Sequence, residues 1–200
     1  MATAERNAVH AEPTGQPAVR RWRFTVEDYH RMGEAGLFHE DDRVELIEGD
    51  VVVMSPIGSR HVGTVARIDA LLHPGLGPNA VILVQSPIRL GDQSEPQPDL
   101  AVLRPRPDFY TNSLPGPEEV FLVIEVMDTT AAYDRGVKLG LYARAGVAEV
   151  WLVDLNRELV ECHRRPSGNG YAESRVVPRG GSLAPGAFPD VVLAVDTILG

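Results

Sequence analysis

The chain has 200 residues, 44% apolar and 24% charged, which suits one globular domain whose core needs no metal or disulfide staple. A formal net charge of -9 argues against wholesale coating of nucleic acid, though it leaves room for local basic patches. The lone Cys162 excludes an internal disulfide and a cysteine-based zinc site and fits a reducing cytoplasm, and no apolar run is long enough to span a membrane.

Residues 1–20 are rich in Ala, Pro and polar side chains and lack the apolar stretch of a secretory signal, so they read as a disordered tail before a single domain over 21–200. Thr25 is the expected N-cap of a short helix, TVEDYHRMGEAG, with acids in its first turn and Gly33 and Gly36 at its exit. RVELIEGDVVVMSP predicts a hairpin: strand Val44 to Glu48, a turn at Gly49 and Asp50, and strand Val51 to Met54. Ser59 opens a helix in which His61, Val65, Ile68 and Leu72 share one face, and HPGLGP reads as the loop that ends it.

Ala80 to Leu90 predicts a strand or strand pair bent at Pro87, which favours an edge or a bulge. PDLAVLR, from Pro98 to Arg104, is the next strand, and the Pro-rich run after it is a long excursion. Val120 to Met127 is apolar on both faces except for Glu125, as a strand covered on both sides should be. Thr129 or Thr130 is the expected cap of the following helix, Gly146 its end, and Glu149 to Leu155 the next strand. That βαβ unit makes the two strands parallel. A hairpin about SGNG, then one short strand and a terminal helical turn, complete an α/β chain.

Three residues draw attention as chemistry. Lys138 is the only lysine; the other 18 basic side chains are arginines. A compact amine and a planar guanidinium are not interchangeable at a reactive site, so this exception to the chain's habit points to function. Glu125 lies in FLVIEVM, where a buried carboxylate requires a partner. Asp99 starts the preceding strand. Counting rises along strand and helix brings the lysine arm within reach of Glu125, with Leu141, Tyr142 and Ala145 on the same stripe as Lys138. The plain alternative is a surface pair between Asp134 and Lys138, worth only about 0.3 to 0.5 kcal/mol. Glu45 and His61 are candidates for supporting roles, against the readings of an edge-strand charge and a core histidine.

Pro98-Asp99 followed by Glu125-Val126 on the next strand resembles the PD-(D/E)XK nuclease superfamily. The ordered series RVELIEGDVVVMSP, His61, PDLAVL, VIEV and YDRGVKLGLYARAGVAEVWLVD resembles the Uma-two family of restriction endonucleases, over residues 25 to about 195. The resemblance implies a restriction endonuclease-like mixed sheet flanked by helices, with added N-terminal and C-terminal hairpins. It implies a Mg²⁺-dependent DNA endonuclease, a cytoplasmic hydrolase of phosphodiester bonds in which Mn²⁺ can replace Mg²⁺. Asp99, Glu125 and the Val126 carbonyl would hold the metal and Lys138 would serve catalysis. Met127 occupies the position of the superfamily lysine, so the amine would have moved to the helix, and Asp128-Thr129 stands where the family commonly has Ser-Pro. Arg104 and Arg106, with Arg20, Arg21, Arg23, Arg164 and Arg165, are candidate DNA contacts. A homodimer is expected from class, since cutting two strands needs two sites. The competing expectation is a nuclease fold that no longer cleaves and serves as a binding module.

Overall fold

The computed structural model describes residues 21–39, 41–128 and 131–200. The tail read over 1–20, with Arg20, and the cap read at Thr129 or Thr130 lie outside these residues. Helix α1 (Val26–Glu34) starts in a capping box: the Asp28 N–H donates to the Thr25 hydroxyl and the Thr25 N–H to the Asp28 carboxylate, both at 3.1 Å. The hairpin follows as β1 (Val44–Ile47) and β2 (Asp50–Val53). Its turn falls one residue earlier than expected, on Glu48 and Gly49, whose φ values of 49° and 80° match the strand twist of a two-residue hairpin. Glycine is required there twice over, because a Cβ on Gly49 would stand 2.7 Å from the Arg23 Cβ.

Helix α2 (Ser59–Leu76) overrides the loop expected at HPGLGP and runs through Pro74. The proline removes one hydrogen bond in the last turn. Leu72 and Leu76, both buried, hold that turn to the core, and the His73 ring meets the Asp69 carbonyl at 2.9 Å. The expected Ala80 to Leu90 segment yields only β3 (Val81–Val84), an edge strand, because Gln85 turns to φ 45° before Pro87.

The main sheet adds β4 (Leu100–Leu103), β5 (Val120–Met127), β6 (Glu149–Asp154), β7 (Leu159–Ser167) and β8 (Gly170–Pro178), in the order β3-β4-β5-β6-β7-β8. β5 and β6 are parallel and every other neighbouring pair is antiparallel, so the sheet is mixed. Helices lie on both faces. Leu122, Ile124 and Val126 of β5 pack with Ile68 and Leu72 of α2, whereas Val123 and Met127 pack on the other face with Tyr142. A strand not anticipated from sequence, β9 (Ser182–Leu183), pairs antiparallel with the expected short closing strand, β10 (Leu193–Ala194), which the terminal helix α5 (Val195–Leu199) follows.

The crossover from β5 to β6 is not one regular helix. It is α3 (Ala131–Tyr133), a π-helical stretch (Asp134–Lys138) and α4 (Leu139–Ala145), closed by Gly146 at φ 86°. The wide turn is carried by the Leu139 N–H, which donates back five residues to the Asp134 carbonyl. Among the described residues no helix is long and apolar enough to cross a membrane.

Candidate active site

Register explains why two distant acids become neighbours. Leu100 of β4 pairs with Ile124 of the antiparallel β5, so one step further along Asp99 falls beside Glu125. Both are buried, at 9% and 4% exposure. The Val126 N–H donates to Asp99 Oδ2 at 2.8 Å, which fixes that carboxylate against the adjoining strand. His61, on the apolar stripe of α2, brings Nε2 to 2.9 Å from the same oxygen.

Lys138 arrives from the π-helical stretch. Its Nζ is 3.3 Å from Glu125 Oε1 and 3.1 Å from Glu45 Oε2, and the side chain is 5% exposed. A surface pair with Asp134 is therefore not its setting: Asp134 is itself buried and lines the same cleft. Glu45 points inward from β1 and also accepts the Gln97 N–H at 3.2 Å, which fastens the hairpin over the end of the main sheet. Two contacts escaped the sequence reading. The Tyr142 hydroxyl donates to Glu125 Oε1 at 2.5 Å, and Asp134 adds another acid. The signal for Tyr142 was its position one helical turn beyond Lys138.

All of these side chains but Tyr142, which lies behind Glu125, line a cleft of about 540 Å³ between the hairpin, the start of α2, the ends of β4 and β5, and the crossover. Glu45, Asp99, Glu125, Asp128 and Asp134 face it together with Lys138, His61 and Arg43. Acids outnumber bases, and the imbalance perturbs them. Burial, with Asp99 and Asp134 nearby, pushes the Glu125 carboxyl above the usual carboxylate range even though Lys138 pulls it down. Burial alone would lower the Lys138 ammonium, but Glu125, Glu45 and Asp134 outweigh it and hold the amine protonated far above the usual lysine range.

An excess of inward carboxylates is what a hard divalent cation relieves. The donor set fits one: the carboxylates of Asp99 and Glu125, with the Val126 carbonyl as a third oxygen. Among the described residues no three His, Cys, Asp or Glu side chains form a metal site by themselves, so an ion here would keep water or phosphate in its remaining positions. Arg104 and Arg106 are not brought to the cleft. They follow the far end of β4, where Arg104 lies over the Phe121 ring, and Arg106 pairs with Asp108 and Glu119. Arg23, Arg164 and Arg165 are held by Asp50, Glu149 and Glu173, outside the cleft lining, and Arg21 is not part of that lining either.

Comparison with known proteins is consistent with this geometry. Residues 26–196 match the profile of the Uma2 family, described as "Putative restriction endonuclease". A solved structure, "a putative nuclease belonging to DUF820 from Anabaena variabilis", superimposes with a TM-score of 0.70 at 16% identity, covering 88% of this chain and 97% of that one. At that identity the likeness speaks for the fold, a restriction endonuclease-like mixed sheet. No curated protein matches the chain.

Proposed function

The chain belongs to the Uma2 family of restriction endonuclease-like proteins, and on that footing we propose that its cleft hydrolyses phosphodiester bonds of DNA with Mg²⁺, or Mn²⁺ in its place. The observation that carries this reading is the only lysine of the chain, buried 3.3 Å from Glu125 and 3.1 Å from Glu45 beside Asp99. Asp99, Glu125 and the Val126 carbonyl would hold the ion, which when bound supplies positive charge to the phosphate and lowers the pKa of water.

The side chains divide the remaining work. Lys138 keeps its proton and presents a point charge, either to orient the attacking water or to offset charge that develops on phosphorus. Glu45 steadies Lys138, and His61 with the Val126 N–H steadies Asp99. In the reaction the water oxygen bonds to phosphorus, one ester P–O bond breaks, and the leaving oxygen takes up a proton.

Supercoiled plasmid incubated with Mg²⁺ or Mn²⁺ tests the proposal. Asp99→Ala, Glu125→Ala and Lys138→Ala should each slow nicking by about 10² or more, the usual scale for loss of one charged transition-state contact. Equal residual nicking in all four preparations would mean contamination and would support a binding module instead. Lys138→Arg is the sharper variant: normal cleavage by it would remove the case for a compact amine.

A further inference from the structure

Lys138 and Tyr142 converge on one oxygen of Glu125. The hydroxyl is 2.5 Å and the ammonium 3.3 Å from Oε1, and among the described residues no hydrogen bond falls on Oε2. The buried side-chain polar atoms without a hydrogen-bond partner among the described residues are His61 Nδ1, Asp69 Oδ1, the Tyr133 hydroxyl, His163 Nε2 and Arg164 Nε. Glu125 Oε2 is not among them. An oxygen with neither a partner nor full burial, on a residue that lines the cleft, opens onto the cleft.

We propose that Tyr142 is a positioning residue: with Lys138 it clamps Oε1 so that the second oxygen of Glu125 stays turned to the cleft, ready for a divalent cation. The inference rests on the nuclease reading above. A carboxylate on a strand can rotate about its last bond, and a lysine, on a flexible stem with three rotatable donors, does not fix which oxygen it meets. The Tyr142 ring can. It is fully buried, packs with Met127 and Val150, and its hydroxyl has one direction to point. A rigid hydroxyl donor that shares one oxygen with the ammonium pre-orients a ligand before any ion arrives, which is how the surroundings of metal ligands raise affinity.

The test reads Mn²⁺ binding without DNA, by calorimetry on the full chain. Tyr142→Phe keeps the ring and removes the clamp, so its Kd for Mn²⁺ should weaken by about 10- to 100-fold. In a Glu125→Gln background the same change should add nothing, because the tyrosine acts only through Glu125. A Kd within twofold of wild type, or additive effects in the cycle, would overturn the clamp. Crystals of the wild-type protein soaked in Mn²⁺ give a second arm that does not depend on the variant folding. Anomalous density is expected on Oε2 with the Tyr142 bond to Oε1 intact, and an ion on Oε1 that displaces the hydroxyl overturns the proposal. Density nowhere near Asp99 and Glu125 would instead sink the nuclease reading on which it stands.

Discussion

The Tyr133 hydroxyl is buried in the cleft wall and meets no hydrogen-bond partner among the described residues, and burial, then Glu45, raises its pKa to about 12, so it stays protonated. Leaving such a group unpaired costs about 1 to 3 kcal/mol, so Tyr133→Phe should stabilise the protein, read as a higher Tm. A lower Tm would show that the hydroxyl is bonded in solution. Cys162 shifts in the same direction, and its shift reaches into an accessible pH range. Burial, then Glu149, pushes its thiol up to about 12, so the folded protein keeps a proton that the unfolded chain releases near the ordinary thiol value of about 8.5. The folded state therefore binds more protons across that window, and stability should fall as pH rises from about 9 towards 12. Urea titrations at pH 7 and pH 10 should show a smaller loss in Cys162→Ala than in the wild type. Of the clustered residues, Lys138 was the most legible in the sequence because its type is unique. Tyr142 was not, since a tyrosine on an apolar stripe looks like core until its hydroxyl is seen to meet an acid.

Elements were legible where one local rule governs them. The eight residues of β5, the parallel pairing with β6 and the turn between β7 and β8 follow from an apolar run, a crossover and a Gly-rich turn. They were illegible where packing overrules propensity. α2 crosses Pro74 because Leu76 is buried beyond it, and the π-helical turn has no period of its own that a sequence pattern could show. Gly146 is the element-scale control. Its φ of 86° is one that other residues adopt reluctantly, while a Cβ there would meet nothing within 4 Å. Gly146→Ala should thus cost only the conformational strain, about 1 kcal/mol, and lower Tm by roughly 2 to 4 °C in a domain of this size. A much larger drop would point to a packing role that the open surroundings do not provide.

At the scale of the whole molecule, net charge and site charge have the same sign. The chain carries -9 overall and gathers five acids around one lysine, one arginine and one histidine in the cleft. A divalent cation should therefore stabilise the folded state: at 100-fold excess over its Kd the gain is about 2.7 kcal/mol. Thermal unfolding with and without Mn²⁺ should show that rise in the wild type and not in Asp99→Ala. The sheet order could not be read from sequence, and that limited the choice of DNA-contacting arginines. Arg104 and Arg106 follow Asp99 closely in the chain, but β4 carries them to the opposite end of the sheet, whereas Arg43 of the distant hairpin comes to the cleft.

The ion pair between Glu45 and Lys138 joins the first hairpin to the π-helical stretch of the crossover before β6. During synthesis the hairpin leaves the ribosome long before its partner amine exists. A nascent or truncated chain that ends before residue 138 thus holds acids with no ammonium among them. On the proposed reading such a chain is inert towards the genome of the cell that makes it, and cutting becomes available only once synthesis has passed Lys138.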